Sequence, residues 1–558
     1  MLAPQNQQFT VLDSIESTQS AWFNEIDEAI RRSDIIPGDY EYTSATSYGN
    51  TGAIVEGAQT NVDIAPPRFK IVSLDNSYIT IKQTIPIKFN KNMSQNLLTK
   101  KWYVGYKYSP ECIGQYRIFT NTDLLQTKNH ANYEWFLIQN SIADPVKEKD
   151  ECFATIDKIR RMDPNVPGVY LDLSTLTSTS QEIPVELELK IPLSSFLIFY
   201  NLKFFAEWMG KITIELYPSF RNLVIAPVID STQLNVPNTS FPNKSSSPDK
   251  NYSLQELLDL HPEYNLGFYN VNQEMYNYIT TGTADTSNVY PYTPTPLICS
   301  ANDSTANECQ IRTAQYMLQA DVYDAIAQRY MTRPLVFPIQ EIECKDFTQD
   351  LRKPNEINKD VNEAMTVALK HCDAAFTVFK RNINSRTCFE NPDITNITFN
   401  INGKYYPREH VNTLDDVKSR NLTLDALNTN RSLITAIPKD LHTSIQPYVF
   451  IKKWNNSTNK LDTVKHYTDG DRSNYFLGLP FADSDDFMGG ISTANATVQI
   501  QMTGTTCGEG GYNLHLKFEQ PTMLITQDCL LKIWAFKSST RKQMEITHET
   551  IEQIALTV

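Results

Sequence analysis

The residues that could do chemistry in this sequence are few and poorly grouped. The glycine-rich stretch Thr505-Thr506-Cys507-Gly508-Glu509-Gly510-Gly511 comes nearest to a phosphate-binding loop. Such a loop needs a lysine followed by Ser or Thr, so that backbone amides and an ammonium group cradle the phosphate. No lysine stands there and Glu509 adds a repelling carboxylate, so the glycines read as a hairpin loop between alternating segments. The eight histidines and nine cysteines are scattered. His371-Cys372, the one adjacent pair, offers two ligands where a structural zinc needs four, and reads as strand interior or edge. The densest carboxylates are Asp469, Asp471, Asp483, Asp485 and Asp486. Hard oxygen donors of this kind could hold calcium, but the regular loop with a terminal bidentate Glu is missing, and a solvated acidic loop is the plainer reading. No Gly-x-Ser-x-Gly elbow occurs, and 64 acids give no means of choosing a hydrolytic pair. No catalytic, cofactor-binding or metal-binding residue can be named, and the expectation is a protein that is not an enzyme and carries no cofactor.

With chemistry unreadable, the balance of the chain narrows its partners. Fifty Lys and Arg against 64 Asp and Glu give a formal net charge of −14. A surface that grips phosphate backbones needs clustered cations, so direct sequence-specific nucleic-acid binding is not expected. The most apolar stretch, 191–209, is interrupted by Pro192, Ser194, Ser195, Asn201, Lys203 and Glu207, so no membrane span is expected. The opening Met1-Leu2-Ala3-Pro4 lacks the basic flank and apolar run of a secretion signal. The cysteines are odd in number, irregularly spaced and without a C-x-x-C pair, and read as free thiols in a reducing compartment. On that reading the Asn-x-Ser/Thr triplets at Asn92, Asn396, Asn421 and Asn495 are chance matches and not glycan acceptors.

At 558 residues the chain has room for more than one core. Ile15, Trp22, Ile26 and Ile30 recur at helical spacing, which predicts an amphipathic helix in an N-terminal arm, 1–64. A period of two then takes over in Ile79, Ile81, Ile85, Ile87 and Phe89, returns in Val185, Leu187, Leu189 and Ile191, and again in Ile212, Ile214 and Leu216. Each run predicts a strand with one buried face. Trp135, Ile138 and Ile142 place a helix over 132–142 inside this first β domain, 65–230. The segment 231–320 opens rich in Ser, Thr, Asn and Pro and continues with Tyr264, Tyr269, Tyr276, Tyr278, Tyr290 and Tyr292, which predicts a contact-making excursion between domains. Strand periodicity resumes from about Asp321 and defines a second β domain, 321–537. It holds Ile397, Phe399 and Ile401 before the turn dipeptide Asn402-Gly403, a helix over 422–437 closed by Pro438, and strands at Val498-Ile500-Met502 and Tyr512-Leu514-Leu516-Phe518. A tail, 538–558, follows. Both halves run strands, hairpin, lone helix, strands, and no β-helix-β alternation is visible. The expected fold is all-β: two tandem sandwiches with short inserted helices and an N-terminal helical arm.

Several phrases carry a family likeness. They are Val104-Gly105-Tyr106-Lys107-Tyr108-Ser109-Pro110-Glu111-Cys112-Ile113-Gly114-Gln115-Tyr116, Gly168-Val169-Tyr170-Leu171-Asp172-Leu173, Lys190-Ile191-Pro192-Leu193 and Gly210-Lys211-Ile212-Thr213-Ile214. At the far end stand Asp528-Cys529-Leu530-Leu531-Lys532-Ile533, Met544-Glu545-Ile546-Thr547 and Thr550-Ile551-Glu552-Gln553-Ile554. These resemble the major capsid proteins of Maverick/Polinton elements and adintoviruses, of the hexon-like double jelly-roll lineage. The likeness is weakest over the first 60 residues and over 231–313, and nothing is carried over to them. It implies a double jelly roll, a homotrimeric pseudo-hexagonal capsomer, and an icosahedral shell around double-stranded DNA in a virion assembled inside the host cell. Neighbouring capsomers, penton proteins and minor capsid proteins would be its partners. None of the phrases is a catalytic motif. The competing readings are a glycan-binding or adhesive jelly-roll protein, with Tyr and Trp stacking on sugars, and a carbohydrate-active enzyme on the same scaffold.

Overall fold

The alternating segments become strands because alternate side chains have a core to enter. Along Ile212–Pro218 burial switches residue by residue, with Ile212, Ile214 and Leu216 inside. The computed structural model describes most of residues 57–228 and 305–533, together with the short stretches 43–46, 267–271, 298–299 and 540–542.

In the second half, eight strands follow one another: Leu335–Asp346, Lys359–Val367, Cys372–Val378, Ile394–Ile401, Lys404–Val411, Phe476–Pro480, Val498–Thr506 and Thr522–Ile533. Counted in chain order, they hydrogen-bond as 1-8-3-6 in one antiparallel sheet and 2-7-4-5 in the other. First and last strands lie side by side and hairpins wrap the pair, which is jelly-roll topology. Gly403, with φ of +82°, makes the tight turn between the fourth and fifth strands.

The first half repeats this path. Thr60–Ile64, Ile212–Pro218, Ile113–Thr120 and Asp123–Lys128 form its 2-7-4-5 sheet, and Val224–Pro227, Lys101–Gly105 and Gly168–Asp172 supply 8-3-6. The edge place filled by the first strand in the second half is here taken by Tyr269–Asn270, from the middle segment. In both halves a helix follows the fifth strand, Ala131–Ser141 in the first and Val417–Asn428 in the second. The first half also carries a third sheet. Its 21-residue strand Lys70–Asn90 pairs with Ser180–Pro192 on one side and Thr305–Met317 on the other, and Thr43–Thr46 adds to the outside of Thr305–Met317.

The structure corrects the expectation of strand at Asp321: Ala320–Thr332 is an α-helix. Its apolar residues Tyr323, Ile326, Ala327 and Tyr330 fall on one helical face, and all four are buried. The helix expected over 422–437 starts earlier, at Val417, and residues 429–437 lie outside the described ones, as do the helix expected over 15–30 and most of the tyrosine-rich stretch. Of the strand expected at 512–518 only Lys517 and Phe518 are described, Phe518 in a single bridge to Arg352.

Candidate functional site: the seam between the two halves

Helix Ala131–Ser141 sits where the two halves meet, and its residues 131–138 and 140 are buried although Asn132, Glu134 and Asn140 among them are polar. Towards its own half, Trp135 stacks on Tyr116 at 5.4 Å and donates its indole N–H to the Ile113 carbonyl at 3.0 Å. Towards the other half, Phe136 meets Phe389 edge-on at 4.7 Å and Phe476 at 5.8 Å, while Tyr133 stacks on Phe389 at 5.9 Å. A second aromatic contact joins Trp208 to Tyr330 of the helix Ala320–Thr332 at 5.4 Å, almost parallel. Such ring pairs add directional energy to the area they bury.

Polar groups are trapped inside this apolar seam. Lys107 is fully buried; its ammonium donates to Asn474 Oδ1 at 3.3 Å and lies 5.3 Å above the Phe136 ring, a cation–π contact. Asn140 Nδ2 donates to the same oxygen at 3.0 Å, and Asn474 donates back to Asn140. Glu111, also fully buried, accepts the Lys107 backbone N–H at 3.0 Å and that of Tyr108 at 3.3 Å. Burial pushes its carboxyl up to about 7, against the pull of Lys107 and those two N–H donors.

The middle segment is pinned into the seam by Asn270. Its Oδ1 accepts the backbone N–H groups of Arg386, Thr387 and Cys388 at 2.8, 2.9 and 3.1 Å. Its Nδ2 donates to Thr387 Oγ1 at 2.8 Å and to the Asn222 carbonyl at 3.2 Å. Just before it, the Phe268 N–H donates to Ser473 Oγ at 3.1 Å. A third polar group lies at Lys128, which donates to the Ile342 carbonyl of the second half at 2.8 Å and pairs with Glu134 at 3.7 Å. Burial opposes the Lys128 charge, but Glu134, Glu341 and Glu343 outweigh it and raise its pKa. Glu134, which also accepts from Tyr116 at 2.5 Å, is itself raised by burial.

These charged and amide groups bond within and across the two halves, so what the arrangement does is join the two domains. The residues first considered for chemistry lie apart from it or serve it. Of the acidic loop, Asp471 alone is described; its Oδ1 accepts the Ser473 N–H at 2.9 Å and the Ser473 hydroxyl at 2.6 Å. A side chain at Gly267 would collide with that same oxygen at 2.5 Å. Among the described residues no three His, Cys, Asp or Glu come together as a metal site. Cys372 opens a buried strand and bridges Ile491, and His371 adopts φ of +51° before it. Thr505 and Thr506 end the strand Val498–Thr506, and the glycines after them are outside the described residues. The seven described cysteines are free thiols, and burial pushes Cys309, Cys344 and Cys388 up to about 12.

Of the phrases at 104–116 and 168–173, residues 104–105 and 168–172 lie in paired strands of the first roll, and Lys107 and Glu111 lie at the seam. Lys101–Gly105 pairs with Gly168–Asp172, and Tyr103 packs so closely over Gly168 that a Cβ there would lie 2.5 Å from its ring. Sequence reasoning missed Lys107, Glu111 and Asn270 as functional residues. The readable signal was a Lys and a Glu four positions apart within Tyr106-Lys107-Tyr108-Ser109-Pro110-Glu111-Cys112; Asn270 had none, because the amides that bond its Oδ1 lie more than a hundred residues away.

No family model matches the chain, and no curated protein matches its sequence. Among solved structures it is similar to the mavirus major capsid protein, at 9% identity over 93% of this chain and 92% of that one, with a TM-score of 0.51. A chain of the Sputnik virophage structure is 12% identical over 92% and 93%, with a TM-score of 0.47, and the Faustovirus major capsid protein 10% identical over 94% and 98%, at 0.35. The neighbours are hexon-like double jelly-roll major capsid proteins, a class related to the Maverick/Polinton lineage. At such identities the fold is what is shared, and the chain is a mainly β double jelly roll. Among those residues no helix is long and apolar enough to cross a membrane.

Proposed function

We propose that this chain is a structural major capsid protein that assembles as a homotrimer into pseudo-hexagonal capsomers of an icosahedral shell around double-stranded DNA. The observation that carries the reading is the repeated strand path: one chain holds two jelly rolls of the same topology, fused by a buried seam. Three such chains about a threefold axis present six similar walls, so a single product packs hexagonally while its true symmetry is threefold. A rigid seam is what that geometry needs, because any hinge between the rolls would spoil the sixfold outline.

On this reading the chain belongs to the virion, has a structural and not an enzymatic role, and meets neighbouring capsomers, penton proteins and minor capsid proteins. The segments 1–64 and 538–558 supply arms for those contacts and 231–320 a contact-making excursion, apart from Thr43–Thr46, Thr60–Ile64, Tyr269–Asn270, Ile298–Cys299, Thr305–Met317 and Thr540–Lys542, which pair as strands. With a net charge of −14 the shell protein leaves neutralisation of the DNA to counterions or basic internal proteins. Mass in solution together with negative-stain images tests the proposal. A trimer with a hexagonal outline is expected; a stable monomer that binds glycans and never forms sheets or shells would overturn it, as would tight binding of naked DNA at physiological salt for the indirect-contact part.

A further inference from the structure

Between the helix Val417–Asn428 and the sixth strand of the second roll, the chain forms a separate hairpin, Tyr448–Asn455 with Lys460–Tyr467. It is a two-stranded sheet of its own, paired with no strand of either roll among the described residues. Two strands alone are marginally stable in water, because they have no third element on which to bury a face. Near its turn the register sets Trp454 directly opposite Leu461, and both are more than half exposed, at 56% and 57%. A tryptophan and a leucine facing each other across a hairpin, both exposed, form an apolar pair open to a partner.

The charge of the hairpin identifies its cover. Residues 448–467 hold Lys452, Lys453, Lys460 and Lys465 against Asp462 alone, so this ribbon is basic on a chain whose net charge is −14. The surface that complements it is therefore the rest of another molecule of the same kind, acidic in excess. We infer that the hairpin 448–467 is a clasp that docks, through Trp454 and Leu461 and its lysines, onto an acidic face of a second copy of this chain. The inference rests on the capsomer reading and names the segment that holds the subunits together. A buried tryptophan ringed by charge pairs is the usual make-up of an interface hot spot, and the lysines add salt-sensitive steering.

The test uses the full chain, with native mass measured across protein concentration and salt, and hydrogen exchange at 448–467. The wild type should be trimeric, with the hairpin amides exchanging slowly only in the trimer. The double variant Trp454→Ala/Leu461→Ala should associate at least about tenfold more weakly while keeping its secondary structure. Charge reversal, Lys452→Glu/Lys453→Glu, should weaken association most at low salt and least at high salt. Variants as trimeric as the wild type, or a hairpin equally protected in dilute monomer, would overturn the clasp and leave the capsomer reading standing. A wild type that stays monomeric at every concentration would overturn the capsomer reading itself, and the clasp with it.

Discussion

The two rolls follow one topology by different means. In the second, all eight strands come in order from one stretch of chain, and the first and last lie side by side. In the first, the matching edge is two residues, Tyr269–Asn270, brought back from beyond the eighth strand and held by amides that belong to the other roll. The second roll is closed by its own ladder; the first is closed by the seam. Stability of the first roll and docking of the two are thus a single event, whereas the second roll has a source of stability independent of its neighbour.

That contrast is open to experiment. Replacing Asn270 by Ala leaves two buried N–H groups and one half-buried one without their acceptor, and should cost about 4 kcal/mol in urea unfolding. Hydrogen exchange should rise at 101–105 and 224–227 more than at 522–533; an equal rise everywhere would break the comparison. Phe136→Ala empties a site between Phe389 and Phe476 and should cost about 3 kcal/mol by the same measurement.

Two buried acids sharpen the comparison through pH. Asp373, in the second roll, is held protonated well above the carboxylate range by burial and by Asp528 beside it. A raised acid pKa means the folded state keeps a proton that the unfolded state loses, so stability falls as pH rises from about 4 upward. Glu111, in the seam, follows the same sign, but its loss of stability is complete near its folded value of about 7. Glu111→Gln should therefore flatten the fall in the urea midpoint between pH 5 and 7, and Asp373→Asn should flatten it further, through pH 8. Unchanged slopes would show that the two carboxyls are not held as the geometry has them. The smallest effect is expected on the surface: Arg68→Ala breaks an exposed pair with Asp324 at 3.6 Å and should change stability by no more than about 0.5 kcal/mol.

Much of the β architecture was legible because burial of one face writes a period of two into the sequence, as in Ile79, Ile81, Ile85 and Ile87. The hairpin turn at Gly403 and the helix from Ala131 were legible for equally local reasons. The helix Ala320–Thr332 was not, because it lies directly between the long strands Thr305–Met317 and Leu335–Asp346, and its tyrosines suit either period. The seam was least legible of all. An asparagine acting on amides 116 to 118 positions away leaves no mark in its own neighbourhood, and a buried lysine looks like any surface lysine until its aromatic flanks are weighed.

The long strand Lys70–Asn90 has a bearing on how the chain is made. Its partner Thr305–Met317 leaves the ribosome far later, and the hydrogen bond of Ala314 to Ser77 spans 237 residues. Until then one flank of a 21-residue ribbon has open backbone groups, the kind of edge that recruits foreign strands. The second roll faces a similar delay, since Asp346 meets Thr522 across 176 residues. Contacts so distant in sequence make for slow folding, so expression rate and temperature should govern the yield of soluble protein more than the stability of the finished molecule does.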